Sequence, residues 1–169
     1  MVDTTLPIQI VIFTTEFSIT GGVFLHDQRL SDFMNDRRET TILLRNASVA
    51  RLDSPARILM DTPVSVVPKT GIVLAFEAPQ KVPPRTLKFI KVPKEKYNVF
   101  LVSDGMQVRG NLNILGPLDL RNAITNASGA FLPITQAAVT LIANPSLLLK
   151  EEAVMVNVQR IRLIGVPES

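Results

Sequence analysis

The chain has one histidine, His26, next to Asp27 and a few residues ahead of Ser31 and Asp32. Imidazole, hydroxyl and carboxylate are the parts of an acyl-transfer site, in which a base takes the nucleophile's proton while a carboxylate orients the base. Those groups must converge from elements that face one another. Here they surround the start of one short predicted helix, from which side chains diverge. His26 therefore reads as a turn residue, and no catalytic residue is assigned. Metal chemistry fares no better, because a site needs three or four convergent ligands. With one histidine, no cysteine and no D-x-D-x-D-G loop, no metal site is expected. Neither a G-x-x-x-x-G-K-[ST] nor a G-x-G-x-x-G loop is present, so no cofactor is expected.

Charge offers a second kind of chemistry. Lys81, Arg85, Lys88, Lys91, Lys94 and Lys96 fall within residues 81–96, where Glu95 is the only acid. Such a run could hold nucleic-acid phosphates or an anionic membrane surface. Its pattern argues for a plainer role. Lys88 separates Leu87 from Phe89 and Lys91 follows Ile90, which describes a half-buried strand with lysines outward. Lysines on an edge strand also discourage sheet-to-sheet aggregation. Readers of single strands usually add stacking aromatics, and this chain has no tryptophan and one tyrosine, Tyr97. A polar cluster of Arg29, Asp32, Arg37 and Arg38 precedes this run in the chain. Together with the six basic residues it forms the candidate interaction surface.

The elements that must position these residues read as one unit written twice. Gly21, Val23 and Leu25 match Gly110, Leu112 and Ile114 at an offset of 89. At an offset of 90, Leu30, Phe33 and Met34 match Leu120, Ala123 and Ile124. At the same offset Ile42, Leu44, Ala47 and Val49 match Leu132, Ile134, Ala137 and Val139. Residues 87–93 resemble residues 161–167. Each copy reads β-β-α-β-β-β, with strands at 8–13, 17–25, 41–49, 71–76 and 86–92 in the first, and with 64–67 as a further strand segment that extends or follows a loop. Residues 53–63 read as a loop. Asp27 and Pro117 are placed at the starts of the two helices, and the strand glycines Gly21 and Gly110 predict a bend, a bulge or a close backbone approach. The expected fold is mainly β (α+β): a tandem duplication of a small barrel-like or curved-sheet unit with pseudo-twofold symmetry. The units span 7–93 and 96–167, packed together as one compact body. SH3-like and Sm-like barrels have similar parts, an analogy of architecture alone.

The run Arg29-Leu30-Ser31-Asp32-Phe33-Met34-Asn35 lies between Ile19-Thr20-Gly21-Gly22-Val23 and Ile42-Leu43-Leu44-Arg45-Asn46-Ala47-Ser48-Val49. This arrangement resembles an uncharacterised bacterial family with an R-L-S-D-[FL]-[LM]-N helix between two strands. The resemblance covers about residues 17–50, with a faded copy over 106–139. It implies no activity, so it supplies no site residues.

The copies differ in charge. Glu16, Asp27, Asp32, Asp36 and Glu39 align with Gly105, Gly116, Asn122, Asn126 and Gly129. Loss of charge usually accompanies burial, so the second copy is expected to be the more enclosed. With 46% hydrophobic residues and a net charge of +3, the chain is apolar, which favours subunit contacts. Met1-Val2-Asp3-Thr4-Thr5 lacks the features of a signal peptide, and no apolar run reaches membrane-span length. The absence of cysteine fits a reducing compartment such as the cytoplasm. The expected role is a non-enzymatic structural or protein-interaction module in an oligomer or larger assembly. Nucleic-acid or anionic-surface binding through residues 81–96 is the alternative.

Overall fold

The computed structural model describes residues 6–79, 93–126 and 130–168. It is mainly β, with two short α-helices. The chain divides into two units, Met1–Lys88 and Phe89–Ser169.

In the first unit, β1 (Ile8–Phe13), β2 (Phe17–Val23), β3 (Thr41–Arg51), β4 (Ser54–Pro68) and β5 (Leu74–Glu77) form antiparallel ladders in the order β5-β1-β2-β3-β4. Helix α1 (Leu30–Asn35) joins β2 to β3, and one 3-10 turn (Lys69–Gly71) joins β4 to β5. In the second unit, β6 (Glu95–Ser103), β7 (Met106–Ile114), β8 (Phe131–Leu141), β9 (Leu148–Asn157) and β10 (Ile161–Gly165) take the order β10-β6-β7-β8-β9. Helix α2 (Leu120–Thr125) and a 3-10 turn (Val158–Arg160) occupy the same places in the order. Element for element, the two units have one topology. Among the described residues neither ladder returns from its long edge to its short edge, so each sheet is open and the barrel expectation is not met.

Alternation produces these sheets. Ile8, Ile10 and Ile12 of β1 are buried while Gln9 is exposed, as period-two patterning requires. Leu25, Met34, Ile42 and Leu44 complete the core of the first unit. Leu101, Met106, Val108, Leu112, Ile134 and Val139 form that of the second.

Both strand glycines mark bulges. The β2–β3 register breaks between Thr20 and Gly22, and the β7–β8 register between Arg109 and Asn111. Opposite them, Asn46 and Gln136 hold positive φ angles of 49° and 47°. The backbones approach closely at both places, but not equally. A Cβ on Gly21 would lie 3.1 Å from the Cβ of Ala47. A Cβ on Gly110 would lie 2.6 Å from Cγ2 of Ile134 and 2.8 Å from the carbonyl oxygen of Thr135.

Several expectations need correction. Residues 53–63 belong to the 15-residue strand β4 rather than a loop. Pro55 and Pro63 concealed it, yet an edge strand tolerates proline because half its backbone groups face away from the sheet. Pro63 fills the gap in the ladder between the pairs Arg45↔Val64 and Ala47↔Thr62. The last described strand of the first unit is β5, which pairs with β1 as β10 pairs with β6. The match of 87–93 to 161–167 is therefore replaced, and the strand expected at 86–92 lies outside the described residues. Asp27 does not cap α1. His26 and Asp27 have φ angles of 47° and 62°, and Arg29 takes the N-cap position. In α2 the cap is Asp119, whose Oδ1 accepts from the Asn122 N–H at 2.9 Å, so the helix begins after Pro117 rather than at it.

Candidate interaction surface

His26 is exposed and stacks on Phe24, with ring centroids 6.4 Å apart. Asp32, which would have to orient it in a triad, instead pairs with Arg29 one helical turn away at 3.4 Å. Among the described residues, no group of three His, Cys, Asp or Glu side chains is placed to hold a metal ion. None of their helices is long and apolar enough to cross a membrane.

The ten predicted surface residues fall into three groups. Arg29, Asp32, Arg37 and Arg38 are exposed, from the N-cap of α1 to just beyond its end. Lys94 precedes β6, and Lys96 lies exposed within it. Lys81, Arg85, Lys88 and Lys91 lie outside the described residues. The first group is largely self-neutralised. Besides the Arg29–Asp32 pair, Arg38 folds back on Asp36, with Nε donating to Oδ1 at 3.0 Å and Nη2 to Oδ2 at 2.9 Å. The side-chain bonds from Arg38, aided by its backbone N–H, draw the Asp36 pKa down to about 2.

One residue of this region left no mark in the sequence pattern. Lys69, in the turn after β4, is buried although charged. Its Nζ donates to the carbonyls of Phe33 at 3.2 Å and Asp36 at 3.0 Å, and lies 5.7 Å from the centre of the Phe33 ring. These are carbonyls at the C-terminal end of α1, where helical partners run out and a cation is favoured. Burial lowers the pKa of Lys69, while Asp36 and Glu39 act against the shift. The ladder position of Lys69 in the second unit belongs to Val158, and that of Asp36 to Asn126. The cation and the acid are thus replaced together. In α2 no residue is buried, whereas α1 buries Leu30 and Met34. The expectation that the uncharged copy is more enclosed therefore fails at its helix.

The second unit places its own charges elsewhere. Asp104, in the β6–β7 turn, accepts from Arg162 Nε at 2.8 Å and Arg160 Nη1 at 3.1 Å, pinning β10 beside that hairpin. Burial alone would raise the Asp104 pKa, but the two guanidinium bonds outweigh it and leave it lowered.

The most extensive unusual surface is apolar and lies on the β3–β4 hairpin. Leu43, Ile58, Leu59, Met60, Val64 and Val66 are each between 47% and 61% exposed. Leu43 pairs directly with Val66, and Arg45 with Val64, so these side chains share the outward face. Farther along, Ile58 and Met60 flank a bulge at Leu59 and pair with the neighbouring residues Ala50 and Val49, which places them on opposite faces. The hairpin is therefore apolar on both sides there, and every β4 residue from Ser54 to Asp61 is exposed. Among the described residues β4 pairs only with β3, and its only charges are Arg57 and Asp61. It has none of the lysines that commonly blunt an exposed edge. Sequence reasoning missed this surface by reading residues 53–63 as a loop. The signal available was Ile58-Leu59-Met60, an apolar run unusual in a loop. The chain matches no family model, no curated protein and no solved structure.

Proposed function

We propose that this protein is a non-enzymatic structural module, built by duplication of one β-rich unit, that works within an oligomer in the cytoplasm. The observation that carries the reading is the long, open, apolar edge strand β4 with its neighbour Leu43. Six half-exposed apolar side chains gathered on one hairpin differ from the scattered single residues of an ordinary monomer surface. Runs of three or more exposed apolar residues are costly unless they are used. Duplication is supported by the common strand order and by bulges at matching places, Gly21 with Asn46 and Gly110 with Gln136.

Sedimentation velocity over a wide concentration range tests the proposal. Mass rising with concentration, and a fall in mass for Met60→Lys/Val66→Lys, is the expected result. A stable monomer at every concentration contradicts it.

A further inference from the structure

Each unit has a long edge strand and a short one, and the chain buries one of each kind. In β9, the long edge of the second unit, Val154, Met155, Val156 and Asn157 are all buried, so both faces are covered. In β5, the short edge of the first unit, Leu74, Ala75 and Phe76 are likewise all buried. Their ladder equivalents are not. Val66 of β4 takes the place of Met155 and is 58% exposed against 4%. Leu163 of β10 takes the place of Leu74 and is 52% exposed against 0%. Among the described residues, one long apolar edge and one short apolar edge thus stay open.

We propose, on the reading that the protein self-associates, that β10 of one copy pairs with β4 of a second copy. The occupant follows from matching: each copy carries one open edge of each kind, so copies of this chain alone can cover them all. Area argues the same way. Strand pairing would bury backbone of β4 in addition to its exposed side chains, toward the ~800 Å² per partner of a standard interface. Pro68 lacks the N–H that would point away from β3, so the pairing uses β4 residues before it. The contact joins two different surfaces, so it is heterologous. Repetition closes into a ring if the rotation allows and otherwise extends as a filament. The anchoring of Arg160 and Arg162 on Asp104 holds β10 in place as a preformed strand.

The test uses two full-length variants, each blocked on one edge at exposed positions: Met60→Lys/Val66→Lys on β4 and Leu163→Lys on β10. Circular dichroism and thermal melting check that both keep the wild-type fold. Light scattering should show wild-type oligomers, each variant alone as a monomer, and a one-to-one dimer when the two are mixed, because the mixture supplies one intact edge of each kind. If the β10 variant still self-associates, or the mixture stays monomeric while the wild type assembles, the β4–β10 pairing is overturned and the module reading stands. A wild type that is monomeric throughout overturns both.

Discussion

Helices α1 and α2 stand at the same place in one topology and are held in opposite ways. Helix α1 has no side-chain N-cap but has Lys69 clamped on its last carbonyls, with two side chains buried beneath it. Helix α2 has an Asp119 cap at its start and buries no side chain. The long edges diverge in the same manner. Strand β4 is exposed over most of its length and carries an apolar Ile58-Leu59-Met60 run, whereas β9 carries Lys150, Glu151 and Glu152 before a fully buried end. One backbone plan tolerates both solutions, because the ladders and bulges fix the scaffold while caps and edges are chosen residue by residue.

The bulge glycines offer the largest effects. Gly110→Ala would force a Cβ against the Thr135 carbonyl and Ile134, and should destabilise the protein by about 2–3 kcal/mol in urea unfolding. Gly21→Ala meets only side-chain and Cα atoms at 3.1–3.3 Å and should cost about 1 kcal/mol or less. Equal costs would mean that the two bulges are packed alike.

Lys69→Met keeps the aliphatic stem but leaves the α1 carbonyls without their cation, and should cost about 1–2 kcal/mol. The matching change in the second unit, Val158→Met, should be close to neutral, since no cap is lost there. Hydrogen exchange at α1, rather than global unfolding alone, would locate the loss.

Smaller still is the acid dependence. The pKa values of Asp36 and Asp104 are both depressed in the folded protein. Their contributions to stability are therefore present above the ordinary carboxylate pKa of ~3.9 and disappear as pH falls through the folded values. For Asp36 that window runs from about 4 down to about 2. Asp104→Asn should cost about 1 kcal/mol at neutral pH and flatten the acid limb of stability against pH. An unchanged acid limb would show that the Arg160 and Arg162 bonds add nothing.

The regular parts of this fold were legible in the sequence. The strands expected at 8–13, 17–25 and 41–49 correspond to β1, β2 and β3, and the Leu30, Phe33 and Met34 spacing marked α1. Gly21 and Gly110 announced the bulges, although not Asn46 and Gln136 opposite them. What escaped was whatever depends on position within a sheet. Proline excludes a central strand but not an edge, and nothing local told Pro55 and Pro63 apart from loop residues. Lys69 meets its helix across more than thirty residues, a distance at which spacing carries no information. The candidate surface was likewise sought in charge, where Arg38 and Arg29 are already paired. The open apolar strand became visible only once β4 was known to be an edge.

Amide hydrogen exchange measured at low and high protein concentration tests the account most directly, because it reports which strand becomes covered. Protection should rise with concentration in β4 and β10 and stay constant in β9 and β5. Exchange in β4 that is equally fast at every concentration, while the protein's mass is rising, would contradict an apolar edge that serves as the assembly surface.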